Sequence, residues 1–190
     1  MKKENIVFFL IAIIVGVLGG YLIFSVSSKK EAAPVGGGVP VGAGTAADYR
    51  LRIETAEKIV AAEPKNRQAW VQLGNDYFDT GQPQKAVNAY AKALELKPDD
   101  PNVLTDQGVM YRQLKQFDLA IANFEKAQQL NPNHLQSLFN LGMVYAQDLK
   151  QDDKAIKAWN RYLELDPSSP TAQQIKGMIE QLKTSPKGFK

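Results

Sequence analysis

The sequence of 190 residues contains no cysteine. Without cysteine the chain can form no disulfide, no thiolate nucleophile, no cysteine-ligated zinc site and no covalent haem attachment through a C-x-x-C-H motif. It also lacks the cysteine on which a lipoprotein anchor is built. Because proteins of any compartment can lack cysteine, the absence excludes kinds of chemistry and not a location.

Histidine is nearly absent as well. His134, the single one, lies in the turn-forming run Asn131-Pro132-Asn133-His134, which favours a solvated loop or a helix start. A catalytic or metal site needs converging partners, and the chain has no glycine-rich phosphate loop, no metal-spaced histidine or glutamate set and no serine with a histidine partner. Helix capping already explains carboxylates such as Asp152 and Asp153. The sequence therefore predicts a protein that is not an enzyme, with no cofactor, metal or small-molecule substrate.

An excess of charge of one sign is also missing, since 23 lysines and arginines face 20 aspartates and glutamates. A nucleic-acid-binding surface needs a basic stripe, and none is present. The part of the chain from Asp48 onward is almost neutral, so long-range electrostatic steering should be weak. We therefore expect no nucleic-acid partner.

One long apolar run is present, at residues 6–26, behind a short N-terminal segment of residues 1–5. At about 1.5 Å per residue a helix of this length spans roughly 30 Å, the thickness of the hydrocarbon core of a bilayer. A cleaved signal peptide is the alternative, with Ser25-Val26-Ser27 as the cut site. Signal-peptide cores usually have about 7 to 15 apolar residues, so the length favours an uncleaved transmembrane anchor.

Lysines flank this run on both sides, and counting them gives a slight preference for a cytoplasmic N-terminus. The prediction is therefore a single-pass protein of the inner (cytoplasmic) membrane with its main domain in the periplasm; the reversed topology stays open. Residues 27–47 are rich in glycine, alanine, valine and proline and bury little apolar surface. They are predicted to be a flexible linker.

An eight-position pattern then occurs three times. The second copy follows the first at a spacing of 34 residues, and the third copy is one residue longer. The first set is Trp70, Leu73, Gly74, Tyr77, Ala86, Tyr90, Ala93 and Pro98. The second is Leu104, Gln107, Gly108, Tyr111, Ala120, Phe124, Ala127 and Pro132, and the third is Leu138, Leu141, Gly142, Tyr145, Ala155, Trp159, Tyr162 and Pro167. A period of this size is typical of a helical-hairpin repeat. The chain resembles the tetratricopeptide repeat (TPR) family.

This resemblance implies an all-α fold, a solenoid of stacked helical hairpins over residues 48–183. The repeats fall at about 67–100, 101–134 and 135–169, after an N-terminal half-repeat and before a capping helix at 170–183, with a loose tail at 184–190. In the half-repeat an apolar set should lie largely on one packing face: Leu51, Ile53, Ala56, Ile59 and Val60. The mid-helix glycines predict close approach of the paired helices.

In TPR proteins the first helix of each hairpin lines a concave groove, so the resemblance implies a peptide-binding groove here. Its predicted residues are Gln68, Val71, Asn75, Phe78, Thr105, Val109, Arg112, Gln136, Phe139, Asn140 and Met143. Chaperone-binding members grip a C-terminal carboxylate with lysine and arginine. Here Val71, Gln136 and Asn140 occupy those basic positions and Asp106 replaces a neutral residue, so no such clamp is expected.

Together these features predict a membrane-tethered adaptor that binds a peptide or helix of a client protein. The order of anchor, linker and repeats is similar to the TPR subunits of cytochrome c maturation (haem lyase) machinery. The alternative is a scaffold, or self-associating subunit, of an envelope, secretion or pilus complex. A further alternative concerns the apolar groove residues, some of which would simply contact the capping helix.

Overall fold

The computed structural model describes residues 45–184, in which helices joined by short turns are the regular secondary structure. It contains eight α-helices: α1 (Ala46–Ala62), α2 (Arg67–Asp79), α3 (Pro83–Leu96), α4 (Pro101–Gln113), α5 (Phe117–Leu130), α6 (Leu135–Met143), α7 (Asp152–Leu165) and α8 (Pro170–Thr184). A π-helical turn, Val144–Asp148, extends α6. The predicted anchor (6–26), most of the predicted linker and nearly all of the predicted tail lie outside the described residues. Within 45–184, no helix is both long enough and apolar enough to cross a membrane.

The helices pair as the repeat pattern predicts. Each of the three hairpins, α2 with α3, α4 with α5 and α6 with α7, packs against the next one along the chain. Helix α1 packs on α2 at one end and α8 packs on α7 at the other. The predicted solenoid of three repeats, a half-repeat and a capping helix is therefore confirmed.

Local signals set the helix ends. The Asp100 carboxylate accepts hydrogen bonds from the backbone N–H groups of Asn102 (3.0 Å) and Val103 (3.2 Å), and Pro101 occupies the first helical position. Ser169 Oγ accepts from the N–H of Ala172 (3.1 Å) ahead of α8. These polar side chains satisfy N–H groups that have no partner inside their helix.

The repeated glycines lie where a large ring from the paired helix touches the backbone. A Cβ added to Gly108 would lie 2.5 Å from Phe124 Cε1, and a Cβ on Gly74 or Gly142 would come closer still to Tyr90 or Trp159. All three rings are almost fully buried. The predicted close approach is confirmed, because no side chain fits between helix and ring.

Helix α1 departs from the prediction. Ala56 and Val60 are buried, but Leu51 is 65% exposed and Ile59 is 39% exposed. These two side chains lie beside α2 in an open groove and not in the core. Helical periodicity placed them near the packing face, but only one side of α1 has a partner helix in the described chain.

The capping helix α8 agrees with the prediction. Ala172, Ile175 and Ile179 are buried against α6 and α7, while Gln173 and Lys176 are exposed. An apolar inner face and a polar outer face close this end of the stack.

Candidate functional site

The groove face is the surface formed by the predicted groove residues of α2, α4 and α6. Gln68 is exposed on it. Eight of the predicted residues are half-buried: Val71, Asn75, Phe78, Val109, Arg112, Gln136, Phe139 and Met143. The three helices thus place most of the predicted side chains at the surface, where a ligand can reach them.

Two predicted groove residues are placed differently. Thr105 is fully buried, and its hydroxyl donates to the Pro101 carbonyl 2.7 Å away. Asn140 is 9% exposed, and its amide donates to the Gln136 carbonyl at 2.9 Å. Thr105 is therefore corrected to a residue inside the helix packing, because a hydroxyl one turn from a carbonyl bonds back to its own helix.

The apolar groove residues contribute to the core as well as to the surface. Val71, Phe78 and Val109 pack against the cluster shared by the first two repeats. Phe139 and Met143 pack against the cluster that α8 completes. Because α8 belongs to this second cluster, the packing of Phe139 and Met143 agrees with the alternative that some groove residues contact the capping helix. Both side chains nevertheless keep part of their surface exposed.

Asn75 is held in place by a buried tyrosine. The Tyr90 hydroxyl, from α3, donates a 2.9 Å hydrogen bond to Asn75 Oδ1. Since this bond uses the carbonyl oxygen of the side-chain amide, the NH₂ group is the part of Asn75 that can bond a ligand.

Carboxyl groups cluster around this tyrosine. Burial and the charges of Asp106, Asp79 and Asp76 raise the pKa of Tyr90. Burial also raises the pKa of Asp106 to about 7; a 3.5 Å hydrogen bond from Gln136 acts in the opposite direction. Asp106 is therefore partly protonated near neutral pH, and it repels a carboxylate less than the sequence alone suggests. Burial on α4 decides this, and no sequence signal reveals it.

The basic residues of α2, α4 and α6 are both engaged in ion pairs. Arg67 pairs with Asp100, and Arg112 pairs with Asp148 at 2.5 Å. Arg112 also donates to Gln147 Oε1 at 2.9 Å. Each pair joins one repeat to the next. Along these three helices the groove face therefore offers no arginine or lysine that is free of an ion pair.

The single histidine caps α6 and links two repeats. His134 Nδ1 accepts from the Ser137 N–H at 3.3 Å, and Nε2 lies 2.9 Å from Asn102 Oδ1 on α4. This arrangement requires the neutral tautomer with its proton on Nε2. Burial lowers the pKa of His134, which favours that neutral form. The prediction of a residue at a helix start is confirmed. The described residues contain no cluster of histidine and carboxylate side chains that could hold a metal ion.

Curated proteins include relatives of this chain that are similar in sequence. Human protein O-mannosyl-transferase TMTC3 is 28% identical over 135 residues, which is 67% of this chain. The chain spans only 15% of the length of that transferase. The likeness therefore covers only a small part of a much larger protein.

Two solved structures extend the comparison. The crystal structure of MamA superposes with a TM-score of 0.67 at 26% identity, covering 72% of this chain and 80% of that one. The first TPR domain of Spaghetti (RPAP3), bound to the HSP90 peptide SRMEEVD, gives a TM-score of 0.58 at 27% identity and covers 63% and 96% of the two chains. The tetratricopeptide repeat profile matches residues 44–101, 71–134 and 105–170. These matches cover more than half of the sequence, and the protein belongs to the tetratricopeptide repeat family.

Proposed function

We propose that the protein is a membrane-tethered adaptor whose groove face binds a peptide or helix of a client protein. One observation carries the proposal. Val71, Phe78 and Val109 remain partly exposed on successive first helices, and the NH₂ group of Asn75 on α2 has no hydrogen-bond partner among residues 45–184. Such a surface suits apolar ligand side chains, with an amide to bond the ligand backbone. The peptide-bound state of the RPAP3 domain supports this use of the fold.

The charges of the groove face narrow the kind of client. Both arginines of the first helices are already paired, while Asp79 and Asp106 have no ion-pair partner among the described residues. A ligand carboxylate would find no free cation here. The client segment is therefore apolar and neutral or basic, unlike the acidic peptide of the RPAP3 complex.

Photo-crosslinking tests the proposal without disturbing the core. A photoreactive amino acid replaces Gln113, an exposed residue one turn after Val109 on α4, in the full chain within its membrane. The matched control carries it at Gln129, an exposed residue of α5. We expect a discrete crosslinked client from position 113 only. Equal crosslinking from both positions, or none from position 113, would contradict the proposal.

A substitution experiment complements the crosslinking. Phe139→Ser with Met143→Ser removes apolar groove surface, and client recovery from detergent extracts should fall. Because both side chains pack against the cluster with α8, thermal unfolding of the variant has to be compared with that of the parent. Leu119→Ser, on exposed apolar surface of α5, is the control. Unchanged client recovery by a folded double variant would rule out this groove.

The tether and its location are part of the same proposal. The apolar run at residues 6–26 and its flanking lysines support an inner-membrane anchor with the repeats in the periplasm. A reporter active only in the periplasm, fused after Lys190, tests this topology. Activity of a cytoplasm-dependent reporter at the same position would establish the reversed one.

For the pathway, we propose cytochrome c maturation. The order of anchor, linker and three repeats, similar to the TPR subunits of haem lyase machinery, supports it. Pull-down with apocytochrome peptides tests the pathway, and equal binding to unrelated peptides of the same charge would remove it.

A further inference from the structure

A tyrosine recurs near the end of the first helix of every repeat, as Tyr77, Tyr111 and Tyr145. In the first repeat the Tyr77 hydroxyl donates a hydrogen bond to the Glu57 carboxylate on α1. Lys85 Nζ, at the start of α3, lies 5.1 Å from the centre of the Tyr77 ring. A cation at this distance over an aromatic ring is attracted to it. One acidic and one basic side chain therefore cover this tyrosine.

The third repeat has the same arrangement. Lys154 Nζ lies 5.3 Å from the centre of the Tyr145 ring. Burial raises the pKa of Tyr145, and the charge of Glu125 on α5 and a hydrogen bond to its carboxylate raise it further. By the repeat spacing, Glu125 and Lys154 correspond to Glu57 and Lys85. Two of the three tyrosines thus have the same pair of charged neighbours.

The second repeat lacks both charged side chains. Ala91 stands in the place of the glutamate, and Leu119 stands in the place of the lysine. The Tyr111 hydroxyl has no hydrogen-bond partner among residues 45–184. Leu119 is 48% exposed, and Ala122, one turn further along α5, is exposed where the other repeats have asparagine and lysine. We term the surface formed by Ala91, Tyr111, Leu119 and Ala122 the tyrosine patch.

The tyrosine patch belongs to the middle of the described stack. Ala91 lies on α3, Tyr111 on α4, and Leu119 and Ala122 on α5. Helix α4 packs against both α3 and α5, and the third hairpin packs on α5 from the other side. Leu119 stays half exposed although described helices precede and follow it. Its exposure is therefore a property of the second repeat and does not result from an end of the described chain.

The two covered tyrosines show what an occupant of the patch supplies. In both of them a carboxylate accepts the hydrogen bond of the hydroxyl, and an ionised acceptor makes this bond stronger than a neutral one does. At Ala91 this chain has only a methyl group, so a carboxylate in that place comes from a ligand. Leu119 and Ala122 offer apolar contact in place of a cation, so the neighbouring part of the ligand is apolar.

The charges next to the patch agree with an acidic ligand. Lys115, in the turn between α4 and α5, is exposed and forms no ion pair among residues 45–184. Its ammonium group attracts an anion. Asp118 lies in the first turn of α5, where the positive end of the helix dipole stabilises its carboxylate.

From this comparison of the three repeats we infer that the tyrosine patch binds an acidic amphipathic helix of a partner protein. A carboxylate of this helix accepts the hydrogen bond of the Tyr111 hydroxyl above Ala91, and a neighbouring apolar side chain contacts Leu119 and Ala122. The groove face takes an apolar segment that is neutral or basic, so the two surfaces select ligands of opposite charge. The tyrosine patch is a second interaction surface beyond client binding in the groove face.

Selection from a displayed library of random helical peptides tests the inference. The bait is the full chain in detergent, and the counter-bait is the double variant Ala91→Glu with Leu119→Lys. This variant rebuilds the pair that the first and third repeats already carry, so it should fold, and it leaves the net charge unchanged. We expect the peptides that bind the parent and not the double variant to carry aspartate or glutamate one helical turn from an apolar residue. Selection of no such peptide would overturn the inference.

Anisotropy of a selected peptide, labelled with a fluorophore, then tests the hydroxyl. Tyr111→Phe keeps the ring and removes the hydroxyl, and it should weaken binding roughly tenfold. Tyr145→Phe is the matched control and should leave binding unchanged, because Glu125 already accepts from that hydroxyl. A peptide with glutamine in place of its acidic residue should bind the parent and Tyr111→Phe with more similar affinities. Equal affinity of the acidic peptide for the parent and Tyr111→Phe would overturn the inference.

Two other occupants of the patch would also overturn it. Displacement of the selected peptide by a peptide of residues 27–44 would identify this chain's own linker. Self-association of the full chain in sedimentation, lost in the double variant, would identify a second copy. Leu119→Ser, the control of the groove experiment, should weaken binding of the selected peptide several-fold and leave recovery of the groove client unchanged. The two proposals therefore fail independently.

Discussion

Gly108→Ala is a sharp test of why the repeat needs glycine. The added Cβ would lie 2.5 Å, 2.9 Å and 3.0 Å from Phe124 Cε1, Cδ1 and Cζ. Carbon atoms pack best at about 3.5 to 4.0 Å, so the ring must move by roughly 1 Å. Phe124 has no exposed surface, and such overpacking costs about 1 to 3 kcal/mol. Alanine recovers up to about 1 kcal/mol of helix propensity, which leaves a net destabilisation of up to about 2 kcal/mol.

Gly177→Ala provides the matched comparison. Gly177 lies inside α8, and a Cβ there would meet no heavy atom within 4 Å. Only the propensity term remains, so this variant should be more stable than the parent by about 0.5 to 1 kcal/mol. Urea unfolding of the full chain in detergent, followed by circular dichroism, measures both free energies. If Gly108→Ala is as stable as Gly177→Ala, the reasoning about the Phe124 contact is refuted. Phe124→Leu combined with Gly108→Ala should recover part of the loss.

Two further predictions concern pH. Burial raises the pKa of Asp106 from 3.8 to about 7, so the folded state binds a proton that the unfolded state releases, and the resulting stability is lost as pH rises from about 4 to 7. Asp106→Asn should remove this pH-dependent loss of stability. The shift in pKa corresponds to about 4 kcal/mol, which is an upper limit because the side chain is partly exposed. If the free energies of unfolding of both proteins change equally between pH 5 and 8, the prediction is wrong. The pKa of His134 is lowered below 6.5, so the unfolded state binds the extra proton and stability falls as pH drops through about 6.5. His134→Gln, measured over pH 5 to 7, should weaken that dependence, and an unchanged slope would show that another group titrates.

The sequence predicts most of the fold because each landmark residue has one local reason to be where it is. Gly108 faces a ring, Asp100 caps a helix and Pro101 starts it, and these reasons act within one hairpin. Their spacing alone therefore locates the helices. The positions of Val71 and Phe78 between these landmarks likewise predict that they lie on the first helix of a hairpin, and the structure shows both half-buried there.

The missed features depend on contacts between repeats. Arg67 pairs with Asp100 across 33 residues, and Arg112 with Asp148 across 36, so neither pair follows from helix periodicity. The raised pKa of Asp106 needs the burial that neighbouring helices create. The 65% exposure of Leu51 depends on which helices pack against α1, which an apolar pattern cannot reveal. Sequence reasoning therefore predicts which residues lie on each helix surface, but not which charged side chains there already form ion pairs.

The extra residue of the third repeat links a local feature of the sequence to a contact between repeats. Tyr111 and Lys115 are four positions apart, whereas the corresponding Tyr145 and Lys150 are five apart, and both lysines adopt a positive φ. The π-helical turn at Val144–Asp148 overlaps this interval, and the Leu149 N–H donates a hydrogen bond to the Val144 carbonyl five residues earlier. A π turn absorbs one inserted residue without displacing the helices on either side.

The inserted position has a consequence for the groove face. Leu149 packs against a core cluster as Leu114 does, so Asp148 is the added residue, and Asp148 pairs with Arg112. Deleting Asp148 should convert the π turn to a regular α-helical end and free the Arg112 guanidinium. The acidic peptide SRMEEVD should then bind more tightly, by about 1 kcal/mol or fivefold, because a free arginine is available to a carboxylate. Asp148→Asn frees the same charge without changing the repeat length. If neither variant gains affinity, as measured by anisotropy of the labelled peptide, then the pairing of Arg112 is not what keeps acidic ligands out.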